Sequence, residues 1–426
     1  MASRWLAVAG CLVAVSALGA CGSSDNKSSS GTGASSGGGG KSVTVYTSLP
    51  FDATDRQQTE DVVKGEKLAL SQVKNTVGPC KITFKQLDDS TAQAGQWDAG
   101  QVSSNARKAA QDKSVVGYIG EFNSGASAIS IPITNQANLM QISPSNTALE
   151  LTKNPGPSGK GAPEKYYPTG KRTYARVVAA DHIQGAAQGQ WMKELGVKKL
   201  FEANDKQVYG SGVAKTTGDA AKLNGVQVVG NEGIDIKAPN YRALAAKIKS
   251  SGADAFFFGG ITASNGVQLY KDVYAANPNI KLFGPDGVAE TSFTSKLPAG
   301  AQKQTYITVG TIDPKDYPPE GQKFFKDFKA AYGTATPEPY AIYGYEAMSL
   351  LLDSMKRAGD SCNDRQAIID QVYKTKNKKS VLGTYSIDKD GDVTTNQFGR
   401  FFVKSGKLTY DKTVTVEKDS SGNPLG

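Results

Sequence analysis

The 426-residue chain has one histidine and four cysteines. With a single His182, a His-rich metal centre is excluded, and any Ser-His-Asp or Cys-His relay would have to run through that residue. His182 sits in Ala179-Ala-Asp-His-Ile-Gln-Gly185, where a polar residue at a helix start is the simpler reading. Phosphate and nucleophile signatures are also missing. No GxGxxG follows the first strand-like run, no GxxxxGK precedes Ser or Thr, and no GxSxG elbow occurs. No cofactor is expected. Asp388-Lys-Asp390-Gly391-Asp392 looks faintly like a calcium loop, but its Gly is fourth instead of sixth and position twelve is Gly399 instead of Glu. It reads as a hairpin turn, and no metal site is expected.

Charge excludes less than it first suggests. The chain carries 49 Lys and Arg against 40 Asp and Glu, a formal +9. Lysines are scattered, and only Lys374, Lys376, Lys378 and Lys379 cluster. No aromatic stacking motif accompanies them, so nucleic acid is not an expected partner. Attraction to anionic wall or lipid surfaces is a sufficient account.

Long apolar runs are absent too. Trp5–Ala17 is nearly all apolar but short of the roughly 20 residues a spanning helix needs. It follows Arg4 and ends in Leu18-Gly19-Ala20-Cys21, which resembles a bacterial lipobox. Residues 1–20 therefore read as a lipoprotein signal peptide, with Cys21 as the lipidated residue. Residues 21–40, mostly Ser and Gly, read as a flexible tether with a reach of roughly 25 Å. The expected location is the outer face of the cytoplasmic membrane, held by lipid. Cys11 leaves with the signal peptide, so Cys80 and Cys362 remain, and an exported protein can pair them.

From Lys41 the pattern alternates strand and helix. Strands are expected at Ser42–Thr47, Lys81–Leu87, Val115–Gly120 and Leu139–Ser143, with helices at Thr59–Val73 and Gln101–Lys113. The alternation restarts at Val197–Ala203 and continues through Gly212–Leu223, Val226–Val229, Tyr241–Ser250, Ala253–Phe258, Val267–Ala275 and Ile280–Phe283. Asn154–Lys171, with four Pro and four Gly, reads as a surface loop between the two runs. A long helix is expected over Ala341–Ala358, then hairpins built from Thr384–Asp388, Arg400–Val403 and Lys407–Tyr410. The fold class is α/β, with two Rossmann-like lobes of parallel sheet.

Open α/β sheets bind ligands at strand C-termini. Those positions hold Glu121-Phe122-Asn-Ser124-Gly-Ala-Ser127 and Pro144-Ser145-Asn-Thr147 in the first run. In the second they hold Asp205-Lys-Gln-Val-Tyr209-Gly210, Gly259-Gly-Ile261-Thr262 and Gly284-Pro-Asp286-Gly287. Hydroxyls and free N–H groups near helix starts suit a carboxylate, and Asp286 suits an ammonium.

Residues Ser42 to Thr413 resemble the type I periplasmic binding proteins, in particular the leucine/isoleucine/valine-binding proteins of branched-chain amino-acid ABC transporters. The resemblance rests on Gln141–Thr152, Asn204–Gly212, Phe256–Gly260, Phe283–Val288 and Tyr345–Met348, in the family's order. It implies two lobes joined by three crossovers, near Val178–Ala180, Gly310–Thr311 and Gly383–Tyr385. The first lobe would comprise 41–179 plus 311–384, the second 180–310 plus 385–413, with a tail at 414–426. Cys80 and Cys362 would then share the first lobe.

The resemblance also implies roles. Ser124 and Thr147 match hydroxyl donors to a ligand carboxylate, and Ser145 matches a backbone N–H donor. Tyr209 matches a tyrosine that closes over the ligand, and Asp286 stands where the family has a Glu for the ligand ammonium. Tyr340 matches an aromatic wall, Phe122 flanks Ser124, and Ile261 replaces an aromatic. Gln58 or Phe51 stands in for a first-lobe tyrosine. Asp286 is one methylene shorter than Glu, about 1.5 Å. The implied function is capture of an amino acid, branched-chain first, for an ABC permease, by a monomer that is not an enzyme. A sensor of the same fold, or a binder of a small amide such as urea, are the alternatives; an exported amidase and a wall-binding structural protein are further ones.

Overall fold

Val115–Gly120 and Ala255–Gly259 are buried at every residue, the pattern of a parallel strand covered on both faces. Each lies inside its own sheet of the computed structural model, which describes residues 40–156 and 159–425. The residues read as signal peptide, Cys21 and nearly all of those read as a tether fall outside the described residues. Among those residues no helix is long and apolar enough to cross a membrane.

The first sheet runs Thr76–Val77, Cys80–Asp88, Lys41–Leu49, Val115–Gly120, Gln141–Ser143, Tyr174–Arg176, parallel except at Thr76–Val77. The second runs Gln227–Gly233, Lys199–Asn204, Ala255–Gly259, Lys281–Gly284, Thr305–Val309, Gln397–Lys404, Lys407–Thr415. Its first five strands are parallel, and the last two form an antiparallel hairpin on its edge. Phe256, Phe257 and Phe258 are fully buried there, each worth about 1.5–3 kcal/mol of apolar burial.

Helices cover the sheets in close pairs. Arg56–Gln72 packs along Ala341–Ala358, and Asp181–Glu194 along Val208–Leu223. The first pair touches backbone to backbone. A Cβ on Gly344 would lie 2.3 Å from the Val62 carbonyl, and one on Gly65 2.1 Å from the Ala341 carbonyl, so only glycine fits at either position.

The chain leaves the first sheet after Tyr174–Arg176 and enters the second lobe through Asp181–Glu194. It returns after Thr305–Val309, and Ala341–Ala358 seats on the first lobe. The third crossing comes later than Gly383–Tyr385. Gly383–Tyr385 pairs with Lys378–Ser380, and Asp388 and Asp392 bind Lys153 and Arg176 of the first lobe. The chain therefore crosses only between Val393 and Gln397. The tail does not stand apart either: Val416 is buried with Ile183, Ala187 and Phe398, and the Ser420 N–H donates to the His182 carbonyl at 2.8 Å.

Two further readings need adjusting. The 154–171 segment is not simply a surface loop, because Ala162, Tyr166 and Tyr167 are buried against Ile131, Leu151 and Tyr174. Helices Pro319–Tyr332 and Arg365–Tyr373 were not expected, and for Ser124–Gln136 and Asp181–Glu194 only a helix start was. Cys80 and Cys362 form a disulfide with Cα atoms 6.2 Å apart, joining residues 282 positions apart in the first lobe.

Candidate functional site: an acidic inter-lobe cleft

The strand ends of both sheets face one another across a cleft. About 500 Å³ of empty space lies between the residues that line it, open solvent included. The first lobe supplies Asp55, Gln58, Phe122, Asn123, Ser124, Gly125, Ser145 and Tyr340. The second supplies Gln207, Tyr209, Ile261, Asp286, Gly287 and Glu290. Among the described residues, three carboxyl groups line the space and no Lys, Arg or His does.

Asp286 is the centre of the polar network. It is 4 % exposed. Tyr209 donates to one carboxylate oxygen at 2.7 Å, and Tyr340, from the opposite lobe, donates to the other at 2.6 Å. The Gly287 N–H donates to the Tyr209 hydroxyl at 2.9 Å. A Cβ on Gly287 would lie 2.7 Å from that tyrosine ring, so glycine is what lets the ring sit over the site. Burial raises the Asp286 pKa, against the two tyrosine hydrogen bonds that lower it.

The lobes also meet elsewhere. The Trp97 indole N–H donates to Gln207 at 3.1 Å, and Gln207 donates to Gln96 at 3.2 Å and to Ser264 at 3.2 Å. Within the first lobe's wall, the Phe122 and Tyr340 rings pack edge to face at 5.7 Å. The cleft is thus shut on itself, with side chains of each lobe bonded to the other.

The loop carrying Ser145 and Thr147 is held from beneath by Arg176, which is fully buried. Its Nε donates to Asp392 at 2.7 Å, and its Nη1 donates to the carbonyls of Asn146 at 3.2 Å and Ala148 at 2.8 Å. Ser143 Oγ accepts from the N–H groups of Ser145 and Asn146, and Asn146 Nδ2 donates to the Phe122 carbonyl at 2.8 Å. Asp388 turns the 388–392 segment by accepting from the N–H groups of Asp390 and Asp392 at 2.9 Å. That turn aims Asp392 at Arg176.

A family model described as periplasmic binding protein matches residues 49–403. The chain belongs to the periplasmic binding protein family. It is a substrate-binding protein and not an enzyme. It is 27 % identical over 353 residues to a protein of Brucella melitensis named Leu/Ile/Val-binding protein homolog 1, covering 82 % of this chain and 87 % of that one. The fold matches a leucine binding protein, LivK, of Thermotoga maritima with a TM-score of 0.76 and 23 % identity, covering 88 % of this chain and 99 % of the other. It also matches an R. palustris solute binding protein in complex with benzoate at a TM-score of 0.72 and 20 % identity, covering 88 % and 97 %. One fold thus serves chemically different ligands.

In this periplasmic binding protein, seven of the eight expected ligand residues line the cleft: Phe122, Ser124, Ser145, Tyr209, Ile261, Asp286 and Tyr340. Gln58 lines it as well, whereas Phe51 does not. Thr147 lies outside the lining. Its hydroxyl is buried without a partner and its carbonyl accepts the Asp181 N–H at 2.8 Å. The Ser145 N–H is not free either, being turned to Ser143 Oγ at 3.2 Å. Asp55 and Glu290 were missed. Nearness to a named position was the one signal available: Asp55 lies three residues before Gln58, and Glu290 two beyond the Phe283–Val288 segment.

Proposed function

We propose that this chain is the extracytoplasmic solute-binding protein of an ABC importer, taking an α-amino acid into the inter-lobe cleft by hinge closure. The observation that carries it is Asp286, clasped by Tyr209 and Tyr340 from both lobes, opposite Ser124 and Ser145. A carboxylate so placed favours an ammonium. Ser124, at the start of the helix Ser124–Gln136, offers a hydroxyl and the positive helix end to a ligand carboxylate. The ligand contacts would be Ser124, Ser145, Tyr209, Asp286, Ile261, Tyr340 and Phe122, with Thr147 supporting the loop from behind.

Lobe one would consist of the first sheet with the helices of residues 319–373, lobe two of the second sheet with its edge hairpin. The relatives' names point to leucine, isoleucine or valine as the first ligands to try. Benzoate, bound by one neighbour, is disfavoured because an aromatic carboxylate would enter a cleft with three acids and no cation. Cys21 would carry the lipid that holds the protein, as a monomer, beside its permease.

Calorimetry of residues 40–426 with the twenty amino acids, urea and benzoate tests the ligand class. Binding of at least one amino acid is expected. Binding of none, or of benzoate alone, would overturn the assignment. Uptake of the bound amino acid by cells with and without the gene separates importer from sensor: unchanged uptake would reject the importer role. Cys21→Ser should release the protein into the medium, and retention at the membrane would reject lipid anchoring.

A further inference from the structure

The cleft holds more carboxyl groups than a simple amino acid can satisfy. A zwitterion brings one ammonium, which Asp286 accommodates, and one carboxylate, which the Ser124 side accommodates. Asp55 and Glu290 remain, from opposite lobes. Asp55 is 6 % exposed and Glu290 3 %. Each has a buried oxygen with no partner, Oδ1 of Asp55 and Oε1 of Glu290, and Gln58 Oε1 between lobe and cleft is unpartnered as well. All three residues line the cavity. An aliphatic side chain would leave these oxygens buried and unpaired, which disfavours such a ligand.

The two acids oppose each other electrically. Burial raises Asp55 to about 7. Burial, with repulsion from Asp55 second, pushes Glu290 well above the usual carboxylate range. A positive group between them reverses both effects, because the low-dielectric surroundings that penalise unpaired charge strengthen a paired one. None of the lining residues supplies that positive group, so the ligand is its natural source.

We infer that the cleft selects an α-amino acid whose side chain ends in a cation, an ammonium or guanidinium group held between Asp55 of one lobe and Glu290 of the other. This rests on the amino-acid reading above and replaces its aliphatic side chain. Calorimetry with lysine, ornithine, arginine, glutamine and leucine tests it. At least one of the three basic amino acids is expected to bind tenfold or more tighter than glutamine and leucine. Glu290→Gln is expected to weaken that ligand at least tenfold and to narrow its advantage over leucine. Tighter binding of leucine or glutamine would overturn the cation while leaving the amino-acid reading intact. Binding of no amino acid would overturn both. The wild-type panel needs no variant, and a thermal melt of Glu290→Gln separates lost affinity from lost folding.

Discussion

The Tyr340 hydroxyl donates across the cleft to Asp286 at 2.6 Å, tying the start of a first-lobe helix to a strand end of the second lobe. Both residues are buried, so the bond exists only while the lobes are together. Tyr340→Phe leaves one buried carboxylate oxygen unsatisfied, at a cost of about 1–3 kcal/mol. That cost falls on the closed state. Ligand affinity should drop roughly 5- to 150-fold by the same arithmetic, and small-angle scattering without ligand should show a larger radius of gyration. Unchanged affinity together with unchanged scattering would remove Tyr340 from the closure.

Asp286→Ala goes further, removing the acceptor of both tyrosines and the partner of the ligand ammonium. Stripping one side of a buried, hydrogen-bonded charge pair costs about 2–5 kcal/mol. Asp286→Asn keeps the shape and the two tyrosine acceptor contacts in part, but not the charge. If charge is what counts, both variants lose ligand heat in calorimetry. Wild-type affinity in the Asn variant would reduce Asp286 to a structural acceptor.

The binding loop depends on a pair outside the cleft. Arg176 is fully buried, and Asp392 is its ion partner at 2.7 Å. Proximity to Arg176 and Lys153 holds the Asp392 carboxyl below its usual value, against burial. Asp392→Asn leaves Arg176 as an uncompensated buried charge, which costs about 3–5 kcal/mol. Chemical denaturation should show that loss. Because Arg176 also holds the Asn146 and Ala148 carbonyls, ligand affinity should fall in the folded variant as well. A variant that loses less than about 1 kcal/mol of stability would mean that the pair is not what pins the loop.

These residues mark where the sequence was readable and where it was not. A short continuous apolar run and a period-3.6 pattern place Val115–Gly120 and Ala341–Ala358 to the residue. They fail for Asp181–Glu194, whose Gly, Ala and Gln are buried on several faces and show no single apolar stripe. Strand-end loops marked most of the cleft, because sheet topology alone sends them there. Asp55 and Glu290 stayed hidden because an acid in a loop looks like a cap or a solvated charge. Only three-dimensional closure buries it. Arg176 and Asp392 are 216 positions apart, and no local pattern joins residues at that distance. The late third crossing has the same cause.

The single histidine supplies a pH test. His182 is partly buried, and among the described residues its buried Nδ1 has no partner. Burial disfavours the imidazolium and lowers its pKa to about 4, against an ordinary value near 6.5. Between those values the unfolded chain binds the proton and the folded chain does not. Stability from this residue is therefore intact above about pH 6.5 and is lost as pH falls toward 4. Full expression of that shift is worth at most about 3 kcal/mol, less for the part that water still reaches. Other buried acids pull the opposite way: Asp181 and Glu202 are raised to about 8, chiefly by burial. Those two favour the folded state increasingly as pH falls from 8 toward the ordinary carboxylate range. The total pH profile thus mixes both signs, and the histidine must be isolated by difference. His182→Gln removes the titration, so the variant should gain stability relative to the parent by about 1–2 kcal/mol on moving from pH 7.5 to pH 5. Denaturant melts of both proteins at the two pH values give that difference directly. A gap between them that does not change with pH would show that His182 titrates alike in the folded and unfolded chains.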